Sequence, residues 1–147
     1  MRAHLCYYKY AKKPFNGHYN EGTTMSQQIN VDVDTLYIES ESSPVNSQYV
    51  FAYTITITNT GTEAAKLVTR HWVITDANGH VEEVRGDGVV GEQPHLKPGE
   101  GFQYTSGAVL KTPIGTMSGS YQMVTDGGNN FDAEIPEFIL SSPRTLH

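Results

Sequence analysis

Three glycines with the spacing of a phosphate-binding loop lie in the middle of the sequence. Gly86, Gly88 and Gly91, in RGDGVVGEQPHLKPGEGF (residues 85–102), reproduce the pattern G-x-G-x-x-G. In dinucleotide-binding proteins this pattern follows a strand and opens a helix, whose N-terminal amides hold the pyrophosphate. The spacing therefore makes these glycines a candidate phosphate loop, and the flanking sequence has to decide between that and a turn.

The sequence around the glycines favours a turn. HVEEVR before them reads as a strand, but EQPHLKPGEGF after them contains two prolines and no apolar period of 3.6, so no helix can start there. The Gly-Lys-Ser/Thr of a P-loop is also missing. Arg85 and Lys97 are basic candidates for a phosphate site, but Asp87 and Glu92 beside them would repel the anion. We interpret the glycines as a tight, partly positive-φ connection between two sheets; an anion held by loop amides is the alternative.

Other residue types capable of chemistry are dispersed. The histidines His71, His80 and His95 fall on different segments without the spacing of a metal motif, so they are weak candidates for a divalent cation. The neighbouring acids Glu82 and Glu83 point to opposite faces of a predicted strand and cannot flank one substrate. We expect no metal centre and no cofactor from these residues.

No catalytic constellation is apparent either. DGGNNFD (126–132) has oxygen ligands at alternate positions but lacks the glycine and the terminal glutamate of a calcium loop, so a hairpin turn explains it better. There is no G-x-S-x-G elbow, and the single cysteine, Cys6, has no histidine partner nearby. The sequence predicts a protein that is not an enzyme and has no catalytic residues.

The elements that position these residues are all predicted to be strands. Residues 49–61 alternate between apolar or aromatic side chains and threonine, which is typical of a half-buried strand. Asn78-Gly79 suits a tight hairpin between two strands. Without a capped amphipathic helix, this pattern predicts an all-β protein, an antiparallel β-sandwich. Trp72 is predicted to fill its core, and Tyr121 to anchor a strand corner. The segments predicted as seven strands are 29–40, 49–61, 64–86 (two strands), 101–110, 115–125 and 130–140.

Size and charge limit the class of protein. With 147 residues and a net charge of −6, the chain is long enough for one globular domain. No apolar run approaches the length that spans a bilayer, so we expect no membrane partner. Few basic residues are available to bind phosphates, so nucleic acid is not expected as a partner. A single cysteine excludes an intrachain disulfide and favours a cytoplasmic location.

The first 24 residues differ from the rest. They hold four basic residues against one acid, a charge of +3, which leaves −9 on residues 25–147. They show neither helical nor strand periodicity, and the regular sequence opens at Met25. We divide the chain into a leader (1–24) and a domain (25–147), with the leader a mis-called start or a mobile tail. A basic targeting arm is the alternative.

Three stretches carry a resemblance to a known family. GDGVVGEQPHLKPGEGFQYTSG, TPIGTMSGSYQM and FDAEIPEFILSSPRTLH together resemble the ApaG family, also called CorD, over about residues 26–147. The resemblance implies a sandwich similar to fibronectin type III or immunoglobulin domains. It also implies a genetic link to cobalt tolerance and magnesium efflux, and protein binding in related eukaryotic domains. A pyrophosphate-binding role for the three glycines is a further implication.

Two classes of function follow. The first is a non-enzymatic binding module that presents loops or sheet faces to an unknown protein partner, because loops on a rigid scaffold make adaptable contact surfaces. The second is a small-ligand protein that binds a nucleotide or pyrophosphate at the glycine loop, or a divalent metal at surface histidines. Basic groups converging on the loop would favour the second. We predict the first, with weak self-association through a sheet edge.

Overall fold

The computed structural model describes residues 5–14 and 28–143. Two short 3-10 helices, Glu39–Glu41 and Pro44–Asn46, are the only helical segments among these residues. The described residues include no helix with the length and apolarity needed to cross a bilayer. The described residues form nine strands: β1 (Leu5–Pro14), β2 (Ile29–Tyr37), β3 (Tyr49–Asn59), β4 (Ala65–Asp76), β5 (Val81–Asp87), β6 (His95–Leu96), β7 (Glu100–Leu110), β8 (Ile114–Thr125) and β9 (Asn130–Ser141).

The strands form two antiparallel sheets that pack face to face. Sheet 1 has the order β1-β7-β3-β2, and sheet 2 has the order β5-β4-β8-β9, with the short β6 also paired to β4. Edge strands β2 and β9 contact each other from opposite sheets. All seven strands predicted from the sequence are present as β2–β5 and β7–β9. The prediction of an antiparallel β-sandwich is therefore confirmed.

The core lies between the sheets and follows the period of two. On β3, Phe51, Tyr53, Ile55 and Ile57 are buried, whereas the threonines between them are only partly covered. Trp72 is 3% exposed, as predicted. Its indole makes edge-to-face contacts with aromatic rings from both sheets, including that of Tyr53 at 5.4 Å. These geometries add to the apolar area that drives the two sheets together.

The two predicted turns adopt the expected local geometry. Gly79 has φ +81°, and the Asp76 carboxylate accepts hydrogen bonds from the amides of Asn78 and His80, which closes the β4–β5 hairpin. Gly128 has φ +89° in the β8–β9 turn, where its amide bonds the Thr125 carbonyl. Positive φ at these two positions is what glycine provides at no steric cost.

Two features differ from the expectation. Strand β1 lies in the leader, where no strand pattern is present in the sequence. Its backbone pairs with the edge of β7, and such pairing needs no alternation of side chains. Residues 1–4 and 15–24 of the leader, and Met25, lie outside the described residues. Tyr121 anchors no corner: it lies in the middle of β8, and its ring is buried between the sheets.

The sandwich has two distinct ends. We call the first the hairpin end, defined by the connections 38–48, 77–80 and 111–113 and by the end of β9. We call the second the loop end, defined by the connections 60–64, 88–94 and 126–129. Pairs such as Tyr49↔Leu110 and Asp76↔Gly115 hold the strand termini together at the hairpin end. The glycine motif lies at the loop end.

Candidate functional site

The glycine loop is closed on itself by backbone hydrogen bonds. The amide of Gly88 donates to the Val68 carbonyl at 2.8 Å, and Val89 and Glu92 exchange two hydrogen bonds across the turn. Gly88 and Gly91 have φ of +60° and +81°. Amides that already bond carbonyls cannot cradle a phosphate. This geometry supports a turn, and the element that follows it is the short strand β6 rather than a helix.

The space around the missing Cβ differs at each of the three glycines of the motif. A Cβ on Gly86 would lie 2.7–2.8 Å from the guanidinium atoms of Arg70. A Cβ on Gly88 would collide with the backbone carbonyl oxygen of Glu92, whereas one on Gly91 would meet nothing within 4 Å. Gly86 therefore makes room for an arginine, Gly88 for a backbone, and Gly91 only supplies its positive φ. After the glycine motif, the chain crosses from sheet 2 to sheet 1 not at the glycines but after β6, at residues 97–99.

Arg70 is the basic residue that reaches the loop, and the sequence analysis missed it. Its Nη1 donates hydrogen bonds of 2.9 Å to the carbonyls of both Asp87 and Gly88. Arg70 shares the inward face of Trp72 because the two residues are two apart in β4, and a register shift between Leu67 and Thr69 brings Leu67 to the same side. The pattern R-x-W-x-I of residues 70–74 is the sequence signal that indicates it, because it places Arg70 on the same face of the strand as the core residues Trp72 and Ile74.

The two basic residues proposed from the sequence lie elsewhere. Arg85 is on the outer face of β5, in a shallow hollow that also contains His71 and Ser120. Lys97 is exposed in the connection to β7, where its amide bonds the Glu100 carboxylate at 2.9 Å. The structure therefore does not bring Arg85 and Lys97 together over the glycines.

Beneath the loop, a cavity of about 270 Å³ lies between the sheets; we call it the inter-sheet cavity. Aromatic side chains form much of its wall, and Arg70 is its one basic residue among the described lining. Asp87 is the one acidic residue of that lining. Val90, in the covering loop, has φ +43°, which is a conformational outlier for a β-branched residue. The described lining is Tyr53, Arg70, Trp72, Ile74, Val84, Asp87, Val89, Val90, Gly91, Tyr104, Ser106 and Met117.

A hydroxyl pair links the two sheets beside this cavity. Tyr104 on β7 and Tyr121 on β8 are both buried, and their hydroxyl oxygens are 2.6 Å apart. Burial raises the pKa of both hydroxyls well above the ordinary value of 10.0. The pair therefore stays neutral across the physiological range and acts as a structural hydrogen bond.

The three histidines do not converge. His71 Nε2 lies 2.8 Å from the Glu83 carboxylate on the outer face of sheet 2, and His95 Nε2 lies 2.7 Å from that of Asp126 at the loop end. His80 is in the hairpin at the opposite end. The described residues contain no cluster of three or more His, Cys, Asp or Glu side chains able to hold a metal ion.

Exposed apolar side chains concentrate at the hairpin end. Leu36 is 64% exposed, one residue before the end of β2, and Val45 is 91% exposed, within the β2–β3 connection. Val81 and Ile114 are the first residues of β5 and β8 at this end, and Ile139 is two residues before the end of β9. The described large hydrophobic residues that are exposed are Leu36, Val45, Val81, Ile114 and Ile139, and all lie at or near the hairpin end.

Comparison with known proteins identifies close relatives. The family model for the ApaG domain matches residues 39–125. Protein ApaG of Thiobacillus denitrificans is 64% identical over 120 residues, which cover 82% of this chain and 94% of the relative. Protein ApaG of an Azoarcus species is 62% identical with the same coverage.

A solved structure shares the fold. The crystal structure of the putative ApaA protein from Bordetella pertussis is 51% identical, with a TM-score of 0.81. The match covers 84% of this chain and all of the other. The sandwich described above is therefore the architecture of similar proteins, and the resemblance found in the sequence is supported by both comparisons.

Proposed function

The chain belongs to the ApaG domain family, and from this premise we propose that it is a non-enzymatic binding module whose ligand is another protein. The observation that carries the proposal is the concentration of exposed apolar side chains at the hairpin end. Exposed hydrophobic residues scattered singly need no explanation, whereas several of them at one end of a domain favour an interaction surface at that end. Connections at one end of a sandwich are also the segments that recognise partners in immunoglobulin domains.

The chemistry of the hairpin end indicates the partner. Leu36 and Val45 contribute apolar area, and the 3-10 helix next to them carries Glu39 and Glu41. The chain as a whole is acidic, with a net charge of −6. A partner surface that combines apolar with basic side chains would complement both features and would associate faster at low ionic strength.

The test is affinity capture with matched variants. Protein carrying Leu36→Asp and Val45→Asp would be compared with wild type and with a control carrying Thr62→Asp and Asn129→Asp. The control adds the same charge at exposed positions of the loop end. We expect wild type and control to retain a common partner, identified by mass spectrometry, and the hairpin-end variant to lose it. Equal capture by all three proteins, or no specific partner for any of them, would contradict the proposal.

The remaining expectations fit this proposal. We propose a cytoplasmic location, supported by the single cysteine. We also propose that the link to cobalt and magnesium implied by the family resemblance runs through a partner protein. His71 and His95, which already bond carboxylates at separate places, support that interpretation over direct metal binding.

A further inference from the structure

We propose that the inter-sheet cavity binds a small organic monoanion, with an aromatic or apolar body between the sheets and a carboxylate on Arg70. This ligand site is separate from the protein-binding surface proposed above, because the glycine loop that covers the cavity belongs to the loop end and the exposed apolar residues to the hairpin end. The inference rests on three features: a guanidinium with unused donors, a strained covering loop, and the size and lining of the cavity.

The guanidinium of Arg70 has N–H donors that bond no acceptor in the described part of the chain. Nη1 bonds the carbonyls of Asp87 and Gly88, and in the described part of the chain no acceptor bonds Nε or Nη2. No described carboxylate forms a salt bridge with Arg70. A partly buried arginine is normally paired, and its fork of donors matches a carboxylate. An anion entering the cavity would supply the missing partner.

The covering loop stores strain where the ligand would lie. Val90 has φ +43° and lines the cavity next to Val89, although a β-branched side chain disfavours that region of backbone. Strained residues persist where the surrounding structure holds them in place, and they cluster at ligand sites. At Val90 this places a partly buried apolar residue in the lining of the cavity.

Size and lining define the class of ligand. A cavity of 150 Å³ accommodates benzene, so about 270 Å³ accommodates one substituted ring. Tyr53, Trp72 and Tyr104 present aromatic surface, which favours an aromatic or apolar body. Asp87 also lines the cavity and the chain is acidic, so a single negative charge is favoured over a polyphosphate.

Phenylacetate is a suitable probe, with phenylacetamide as its neutral counterpart. Trp72 is the only tryptophan of the chain and lines the cavity, so its fluorescence reports occupation directly. We expect phenylacetate to bind with a Kd of about 1 mM or lower, and phenylacetamide at least about tenfold more weakly. Inorganic phosphate is expected to leave the fluorescence unchanged.

Variants distinguish the specific contribution of Arg70 to ligand binding from the effect of losing one positive charge elsewhere. Arg70→Lys should reduce the preference for phenylacetate over phenylacetamide, and Arg70→Gln should abolish it. Arg85→Gln removes the same charge from the outer face of β5 and should retain the preference. Gly86→Ala should act like Arg70→Lys, because the new Cβ displaces the guanidinium. The proposal would be overturned by equal binding of both probes, by equal losses in Arg70→Gln and Arg85→Gln, or by no binding of phenylacetate at about 10 mM. Phosphate binding tighter than phenylacetate would likewise overturn it.

Discussion

Replacing each glycine of the G-x-G-x-x-G motif by alanine should give three different losses of stability. Gly88 has φ +60° and a backbone oxygen in the path of a Cβ, Gly91 has φ +81° and open space, and Gly86 faces only the flexible end of Arg70. The three substitutions add the same methyl group within six residues. The series therefore isolates the local steric environment.

The magnitudes follow from these environments. A left-handed backbone costs an alanine about 1 kcal/mol net, which is the full expectation for Gly91→Ala. At Gly88 the carbonyl of Glu92 must also move, and it belongs to the Val89–Glu92 bridge, so overpacking adds about 1–2 kcal/mol and the total is about 2–3 kcal/mol. Gly86→Ala needs only a shift of a side chain, and we expect less than about 1 kcal/mol.

Urea titration and thermal melts measure these differences directly. For a chain of this size 1 kcal/mol corresponds to roughly 4 °C, so Gly88→Ala should melt about 8–12 °C below wild type and Gly91→Ala about 4 °C below. Calorimetric titration with ATP or GTP, with and without magnesium, should show no binding tighter than ~1 mM. Micromolar nucleotide binding that Gly88→Ala abolishes at unchanged melting temperature would refute the turn and restore a phosphate loop.

Four further predictions concern the core and the edges of the sandwich. Trp72→Ala should cost about 3–5 kcal/mol in a denaturant titration, because the indole is buried among rings of both sheets; a loss under ~1 kcal/mol would contradict that packing. Tyr121→Phe should cost about 1–3 kcal/mol by leaving the Tyr104 hydroxyl without its partner, and the double variant with Tyr104→Phe should cost less than the sum of the two single losses; additive losses would argue against the 2.6 Å contact. Because the folded-state pKa of both tyrosines is raised, their stabilising effect is complete below about pH 10 and is lost as the pH rises further, by about 1.4 kcal/mol per pH unit for each tyrosine; the double phenylalanine variant should show a shallower alkaline loss in unfolding titrations at pH 9–12. Strand β5 pairs only with β4 in the described residues, so sedimentation should reveal weak, concentration-dependent self-association through its outer edge, and a clean monomer at every concentration would count against it.

The strands were predictable because the alternation of apolar and polar residues along them follows the alternation of buried and exposed side chains. From Tyr53 to Ile57 apolar side chains alternate with threonines, and each apolar one is buried, so the period alone identifies the strand and its inward face. Asn78-Gly79 identified its turn by the same kind of local rule. The size of Trp72 and its position within a strand predict its place in the core, where it is 3% exposed.

What the sequence did not reveal depends on contacts across the fold. Strand β1 exists through pairing with β7, and its own residues carry no alternation that would indicate it. Arg70 lies two residues before Trp72 and so shares its face, but the sequence does not show that its guanidinium reaches the carbonyls of Asp87 and Gly88. The motif drew attention to Gly86, Gly88 and Gly91 as a ligand loop, whereas the reason for each glycine is visible only in three dimensions.

The fit between Gly86 and Arg70 has an evolutionary consequence. The guanidinium occupies the space that a side chain at position 86 would need, so a Cβ there moves the guanidinium away from the carbonyls of Asp87 and Gly88. The cost in stability is small, because only the end of a flexible side chain moves, but the position of the positive charge in the inter-sheet cavity changes. Related chains that depend on the arginine at position 70 should therefore retain glycine at position 86. Chains that have lost the arginine should accept other residues at position 86.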